Sequence, residues 1–495
     1  MNKVLDRIVF NPLVFKVAII IVLFISQVPF VHLAIGSYIK YLLFLGILDC
    51  AWDIYRHGVS SKIFDAVFAL LIAFVCLYAI TVFANRDFYL TENLKQLIYM
   101  AVFFWLFTML RDENVKYDIL IVSLVVIGIS ALLSILSLLT YFLNIHEWYI
   151  LPNGSDLNYI GISNGKLFGM YNANSCGMIA TVSLIASLFF LTISSFKKRI
   201  VKLVEYLLIG VNVVVQYLVL LLSHSRGSFY AFIFTMVITT FLFVIMNVNK
   251  GIAIKFTCAF LASVLVFFVL IEISGLIQEK SDALIFVSDS DSWDVEKDSF
   301  FENALETVLK KYYENTSALS GNISGGLGKS ILQGIGRNES GLLSTSGRLS
   351  LWKAGVKVFV ENPIFGITRE GIKDKTSEIL NETPDDLVGG GLHNMYLTIL
   401  VSSGIVGFVT IGAAVIIVLI KFFKVLFLKA KANNYLLFSF AMVFAFLISE
   451  FVENRILYQV TVFNVVFWIY FGYLYYFAKE ALKGERDEFS SIKTE

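Results

Sequence analysis

Residues 220–232 read LLLSHSRGSFYAF, a short polar stretch that joins two apolar runs, each long enough to cross a bilayer. The stretch contains His224 and Arg226, although an arginine near lipid costs a few kcal/mol at depth and less near the interface. Of the 495 residues, 58% are hydrophobic and only 16% are charged, a balance typical of integral membrane proteins. The stretch therefore predicts a hairpin of two membrane helices. It also predicts that the charge of Arg226 at the turn has a functional role.

Similar apolar runs recur along the chain and predict an all-α integral membrane protein with about 12 transmembrane helices. The first run lacks a small-residue cleavage site and is interpreted as a retained helix. The second and fourth runs are short for a span, which favours tilted or broken helices there. The predicted spans cover residues 13–35, 37–52, 63–84, 95–110, 117–143, 174–195, 201–222, 226–247, 252–275, 394–420, 433–452 and 457–478.

Basic residues are distributed unequally between alternate connections. With the N-terminus inside, the inner segments carry Lys3, Arg7, Arg56, Lys62, Arg111, Lys116, Lys197, Lys198, Arg199, Lys202, Lys250, Lys421, Lys424, Lys429 and Lys431. The short outer segments carry Arg86, Lys166, Arg226 and Arg455, with Lys95 at a boundary. This asymmetry follows the positive-inside rule, so it predicts cytoplasmic termini and a turn at Arg226 that faces outward.

The apolar pattern breaks from about residue 276 to residue 392, where the composition becomes close to that of a soluble protein. The sequence thus predicts a membrane domain at 1–275 with about nine helices, a large extracellular loop at 276–392, a membrane domain at 393–478 with about three helices, and a cytoplasmic tail at 479–495. Within the loop, the Gly- and Ser-rich residues 320–341 predict a connector. An amphipathic helix is predicted to start near Ser346 and to stop before Pro363.

Several other classes of protein receive no support. The cysteines stand singly in apolar runs, without metal-ligand or disulfide spacing, and are interpreted as packing residues: Cys50, Cys76, Cys176 and Cys258. The formal net charge of +1 gives no indication of a nucleic-acid partner. No fixed-period repeat is visible, and no inverted pair of broken helices that would mark a transporter.

Four groups of polar residues are predicted to converge at the outer face. They lie at the SRG turn, in GRLSLW at 347–352, in GGGLHNMYL at 389–397, and in LFGMYNANSCG at 167–177. The candidate catalytic residues are Arg226, Arg348 and His393. The candidate substrate-binding residues are Asn172, Asn174, Ser225, Trp352, Asn394 and Tyr396.

Each group also has a purely structural interpretation. Arg226 resembles an interfacial anchor with its head in water, and Arg348 is spaced to stack on Trp352 one helical turn later. His393 is placed like a residue that starts a helix near the headgroups.

The asparagines and a buried acid also have structural explanations. Asn172 and Asn174 suit helix capping. Glu450, near the end of an apolar span, needs a partner, and a structural pair with Arg455 is favoured over a catalytic role.

The order and spacing of these motifs resembles the O-antigen ligase and polymerase superfamily of bacterial cell-surface polysaccharide proteins. The similarity lies in the SRG turn at 225–227, a long outer loop with GR and a tryptophan at 347–352, NPIFG at 362–366, and HNMYL at 393–397 with glycines behind it. LFGMYNANSCG resembles the asparagine-bearing entry of the family. The resemblance covers roughly residues 165–410, and the first 150 residues share only the pattern of spans.

The resemblance implies an enzyme of the bacterial cytoplasmic membrane, multi-pass, with its active site outside. The donor would be an oligosaccharide on a polyprenyl diphosphate, and its glycan would pass to an acceptor hydroxyl. A lipid bilayer, a glycan acceptor, a flippase and a chain-length regulator are the partners expected. No cofactor is expected.

The residues suit that chemistry. The guanidinium groups of Arg226 and Arg348 match phosphate oxygens and would stabilise a diphosphate leaving group. His393, oriented by Asn394, would take the proton of the acceptor hydroxyl. No carboxylate cluster for a divalent metal is evident in the predicted outer segments, so the arginines would replace the metal.

Three functions remain open from the sequence. A polymerase would extend another lipid-linked repeat unit to make capsule, exopolysaccharide or a related polymer. A ligase would use a different surface acceptor. The composition, rich in Lys, Ile and Phe with five prolines, resembles that of AT-rich Gram-positive genomes and favours the polymerase. A transporter of lipid-linked oligosaccharides fits less well, because the polar residues gather at one face instead of lining a path.

Overall fold

The computed structural model describes residues 11–59, 65–108, 110, 114–150, 157–163, 166–193, 199–248, 251–279, 348–380, 391–427 and 433–492. Most of these residues are helical. The helices are α1 Pro12–Ile25, α2 Pro29–Ile35, α3 Ile39–His57, α4 Ala66–Ala84, α5 Leu90–Phe107, α6 Val115–Phe142, α7 Ala173–Ile193, α8 Arg199–Leu222, α9 Arg226–Asn247, α10 Ile252–Glu279, α11 Arg348–Glu361, α12 Gly371–Leu380, α13 Met395–Phe427, α14 Asn434–Ser449 and α15 Val462–Ile492.

Among the described residues, seven helices are long and apolar enough to cross a membrane: α4, α6, α7, α8, α9, α10 and α13. Helices α1 and α14 are apolar but shorter. The prediction of a helical, multi-pass membrane protein is confirmed, while the count of about 12 spans stays a prediction.

The first predicted span, 13–35, is wrong as a continuous helix. Helix α1 ends at Ile25 and α2 begins at Pro29, because proline has no N–H to continue the first helix but is well placed at the start of the next. A short 3₁₀ turn at Gly36–Tyr38 then leads into α3.

A small antiparallel sheet, which the sequence analysis did not predict, accompanies the helices. Its strands are β1 His146–Ile150, β2 Leu157–Ser163 and β3 Lys166–Gly169, in the order β1-β2-β3. The signal was present in HEWYI and LNYIGIS, which are rich in aromatic and β-branched residues on either side of a Pro-Asn-Gly sequence. Gly169 packs so closely on α6 that a Cβ there would lie 2.4 Å from the hydroxyl oxygen of Ser137.

We call the end of the bundle that contains Asn85, Arg348, Asn394 and the residues between α14 and α15 the site end. There Asn85, after α4, donates to the carbonyl of Gly366 at 3.4 Å, and Arg348 donates to the carbonyl of Val452 at 2.9 Å. The predicted amphipathic helix is present as α11. Its apolar residues Leu351, Ala354 and Val358 are buried, so the helix caps the bundle at this end.

Most of the predicted extracellular loop, residues 280–347 and 381–390, lies outside the described residues. This includes the Gly- and Ser-rich connector at 320–341. The division into domains is therefore carried forward as a prediction.

The predicted orientation can be tested by cysteine labelling in intact cells, in a variant without the native cysteines. Cysteine at Lys357, exposed on α11 at the site end, is expected to react with a membrane-impermeant thiol reagent. Cysteine at Gly251, between α9 and α10, has open space around its Cβ and is expected to react only after the cells are permeabilised. The reverse pattern would place the site end in the cytoplasm.

Candidate active site

A loop of residues 450–461 between α14 and α15 is the centre of the site end, and we call it the hub loop. Its backbone is tied to α15: the Trp468 indole donates to the carbonyl of Ile456 at 2.9 Å, and Asn464 donates to the carbonyl of Gln459 at 2.6 Å. These bonds hold the loop in one shape, which suits a surface that must position other side chains.

Two predicted site residues bind the backbone of the hub loop. Asn394 donates to the carbonyl of Phe451 at 3.0 Å, and Arg348 donates through Nη1 to the carbonyl of Val452 at 2.9 Å. The starts of α11 and α13 are thereby brought to adjacent residues of one loop.

Glu453 in the hub loop lies among three basic side chains. Its carboxylate oxygens are 3.3 Å from Arg455, 3.7 Å from His393 Nδ1 and 3.9 Å from Arg348. Burial raises the pKa of Glu453. The nearby charge of Arg455, followed by His393 and Arg348, lowers it by a larger amount, so the pKa of Glu453 lies below its usual value. Glu453 is therefore an anion that holds three cationic or potentially cationic groups together.

Removal of this charge should destabilise the fold at neutral pH. Because the folded-state pKa of Glu453 lies below that of the unfolded chain, its ionised form stabilises the protein above about pH 4.5, and the contribution is lost as the pH falls through the folded-state value. We expect Glu453→Gln to lose about 3 kcal/mol at pH 7 and to show a weaker loss of melting temperature on acidification than the wild type.

The matched control is Glu378→Gln, whose side chain is 69% exposed beside Lys375 and is expected to change stability little. Equal melting temperatures for Glu453→Gln and the wild type at pH 7, measured in detergent, would show that the carboxylate holds nothing together.

His393 stands immediately before α13 in a left-handed backbone conformation, with φ of 46°. The residue on each side is fixed: the carbonyl of Leu392 accepts the indole N–H of Trp352 at 2.8 Å, and Asn394 caps the helix by accepting the N–H of Leu397 at 2.9 Å. Its Nδ1 is buried and has no hydrogen-bond partner among the described residues. A strained, well-supported backbone at a polar site is a common feature of functional residues.

The SRG turn reaches the hub loop from the other side. Arg226 is the first residue of α9, and a Cβ on Gly227 would lie 2.5 Å from a methyl group of Val452, so the turn fits there because residue 227 has no side chain. Ser225 precedes the helix, and its hydroxyl donates to that of Ser228 at 3.0 Å. A cation at a helix N-terminus is unfavourable by about 0.3–1 kcal/mol, so Arg226 is not explained by helix stability.

The remaining candidates have supporting roles in the structure. Asn172 caps α7 by accepting the N–H of Ser175 at 2.8 Å, and Asn174 lies in the first turn of that helix. Tyr396 donates to the carbonyl of Leu447 at 2.7 Å, and its ring centroid is 4.7 Å from that of Phe451. Asn172 and Tyr396 therefore position elements around the site through the contacts they make.

The NPIFG motif repairs a break in α13. Gly404 interrupts the helix with φ of 64°, and the segment 363–368 supplies the missing backbone partners. The N–H groups of Ile367 and Thr368 donate to the carbonyls of Val401 and Ser402, and the N–H of Ile405 donates to the carbonyl of Pro363. A Cβ on Gly404 would lie 2.0 Å from a carbonyl oxygen, which explains the glycine. Without these bonds the break would leave unpaired polar groups at membrane depth.

The predicted structural pair of Glu450 and Arg455 is present, but it runs through the backbone N–H of Arg455. The guanidinium of Arg455 lies against Glu453, and Glu450 accepts the backbone N–H of Arg455 at 2.7 Å. Sequence reasoning missed Glu453 altogether, although VENR places an acid two residues before a base at the end of an apolar run. It also missed Arg369, which is buried beside the hub loop.

The residues described by the structure contain no group of three or more His, Cys, Asp or Glu side chains placed to hold a metal ion. The acidic stretch 289–298 lies outside them.

Residues 211–412 match a family model described as O-antigen ligase. The match runs from within α8 into α13 and includes the SRG turn, the start of α11, NPIFG and HNMYL. The hub loop and α7 lie beyond it. A comparison with curated proteins gave no match.

Proposed function

Because residues 211–412 match a family model described as O-antigen ligase, we propose that the protein transfers a glycan from a polyprenyl diphosphate to a sugar hydroxyl. The reaction would take place at the outer face of the bacterial cytoplasmic membrane. The observation that best supports the proposal is the cluster of Arg348, His393 and Glu453 at the hub loop, beside the turn that carries Arg226.

The donor would be held by cations. A diphosphate leaving group develops negative charge as the glycosidic bond breaks, and guanidinium groups bind its oxygens in pairs. Arg226 is exposed at the start of α9, and Arg348 is partly buried at the start of α11, against the hub loop. Both would bind the diphosphate while the lipid tail stays in the bilayer. Arg348 is already oriented by the carbonyl of Val452, so little entropy is lost on binding.

The acceptor would be activated by His393. With a proton on Nδ1, facing Glu453, the other ring nitrogen has a free lone pair for the hydroxyl proton. The hydroxyl oxygen then bonds to the anomeric carbon, and the bond between that carbon and the diphosphate oxygen breaks. The electron pair of that bond leaves with the diphosphate, and the proton stays on the imidazole until solvent removes it.

We favour a polymerase, which would use a second lipid-linked repeat unit as acceptor and would depend on a flippase for its donor and on a chain-length regulator. The composition, rich in Lys, Ile and Phe with five prolines, supports this choice because it resembles that of AT-rich Gram-positive genomes. The same residues would serve a ligase, the activity named in the description of the family match. Only the acceptor differs.

The test is to supply purified protein in detergent with polyprenyl-diphosphate-linked repeat units as the sole sugar substrate. A polymerase yields a ladder of longer glycans. A ligase leaves the length unchanged until a distinct acceptor is added. Detergent provides no second compartment, so a protein that leaves the glycan unchanged with every acceptor would contradict both forms of the proposal.

Activity should persist in excess chelator, because arginines take the place of a metal at the diphosphate. The measurement is glycan transfer by protein dialysed against a chelator, with and without added magnesium or manganese. Loss of turnover that either ion restores would overturn this part of the mechanism and direct attention to residues 289–298.

A further inference from the structure

Arg369 is a buried cation at the site end that the proposed mechanism does not use. It follows the segment 363–368 that docks into the break of α13, and its backbone N–H donates to the hydroxyl of Tyr78 at 3.1 Å. The residue is only 8% exposed. Its backbone is thus held from two sides, and its side chain is almost wholly out of water.

The guanidinium lies close to the hub loop and to Gly391, in the turn just before His393. A Cβ on Gly391 would lie 2.9 Å from a terminal nitrogen of Arg369 and 3.1 Å from the amide nitrogen of Asn454. The guanidinium of Arg369 and the side chain of Asn454 therefore both lie against Gly391, which has no side chain. Asn454 directly follows Glu453, and Gly391 is two residues before His393, so this pair adjoins the candidate active site.

Nearby carboxylates are already engaged. Glu370 accepts the side-chain amide of Gln96 at 2.7 Å, and Glu453 lies among Arg348, His393 and Arg455. Within the described ranges, the structure records no ion pair for the guanidinium of Arg369. Arginine keeps its charge in proteins, and a buried charge without a counter-ion is strongly unfavourable. A bound anion would remove that penalty.

We propose that Arg369 forms a binding site for an anionic oxygen group of the substrate. A guanidinium fork suits phosphate and carboxylate oxygens, whereas a neutral sugar would leave the charge uncompensated. The anion is either the diphosphate of the donor or the carboxylate of an acidic sugar in the glycan. This inference rests on the proposed function for the identity of the substrate, but the binding itself does not require turnover.

The test uses purified full-length protein and equilibrium binding of three probes: farnesyl diphosphate, glucuronate and glucose. The wild type is expected to bind one or both anions and not glucose. Arg369→Gln should weaken the affinity for the relevant anion about tenfold or more. Loss confined to farnesyl diphosphate assigns the site to the donor, and loss confined to glucuronate assigns it to an acidic sugar. The matched control is Arg86→Gln, an exposed arginine at the same end, which should bind as the wild type does.

Unchanged affinity of folded Arg369→Gln for both anions would overturn the inference, as would a wild type that binds neither. If Arg369→Gln does not fold, Arg369→Lys decides, since it keeps the charge and loses the planar fork. Several-fold weaker binding by the lysine variant is expected, and wild-type affinity would overturn the proposal. Anion binding through Arg369 in a protein that shows no glycan transfer would refute the proposed function and leave this site standing.

Discussion

Arg348→Ala should lower glycan transfer about one hundred- to one thousand-fold, the effect of losing one charge-assisted contact in a transition state. The guanidinium is held by the carbonyl of Val452 at 2.9 Å and lies 3.9 Å from Glu453, so its position is set before the donor arrives. The measurement is the initial rate with a saturating donor, in variants shown to reach the membrane folded.

Arg348→Lys should remain impaired, because lysine keeps the charge but loses the planar guanidinium fork that matches phosphate oxygens in pairs. The control is Lys357→Ala, which removes a charge from an exposed position of the same helix. A rate for Arg348→Ala within threefold of the wild type would remove Arg348 from the catalytic residues and leave it with a structural role at the hub loop.

His393→Ala should lower turnover about one hundred- to ten thousand-fold while leaving donor binding nearly intact, since a general base acts on the acceptor. A higher pH should partly restore this variant, because more of the acceptor is ionised, and should leave Arg226→Ala and Arg348→Ala unchanged. His57→Ala, exposed at the end of α3, is the control.

Loss of donor binding in His393→Ala, with an unchanged pH profile, would make the histidine a phosphate ligand or a residue that only starts α13. Glu370 would then become a candidate base, although its carboxylate already accepts from Gln96. Glu339 is the other carboxylate of the predicted loop that could serve as the base, and it lies outside the described residues.

The helices could be predicted from the sequence because long apolar runs have few other structures available in a membrane. The run at 13–35 misled because hydropathy does not register a proline that ends one helix and starts another. The sheet at 146–169 was not predicted because its strands are short, whereas the predicted elements were found as long apolar runs.

The candidate site shows a similar division. Arg348, His393 and Asn394 could be singled out because each stands where a polar residue begins a helix next to an apolar run. Glu453 and Arg369 could not, since the importance of each depends on side chains far away in the chain.

NPIFG could be recognised as a motif from the sequence, but its structural role could not. The segment 363–368 exchanges backbone hydrogen bonds with α13, and the N–H of Ile405 donates to the carbonyl of Pro363. That pairing follows from the left-handed conformation of Gly404, which no hydropathy pattern reports.

The lipid product tests the central claim most directly. Proteoliposomes that contain the purified protein would be given a donor labelled in its polyprenyl chain, and the lipid released during glycan transfer would be identified by mass spectrometry. One polyprenyl diphosphate released for each glycan transferred is predicted, with both products lost together in the double variant of Arg348→Ala and His393→Ala. Release of polyprenyl monophosphate, or undiminished transfer by the double variant, would contradict the account.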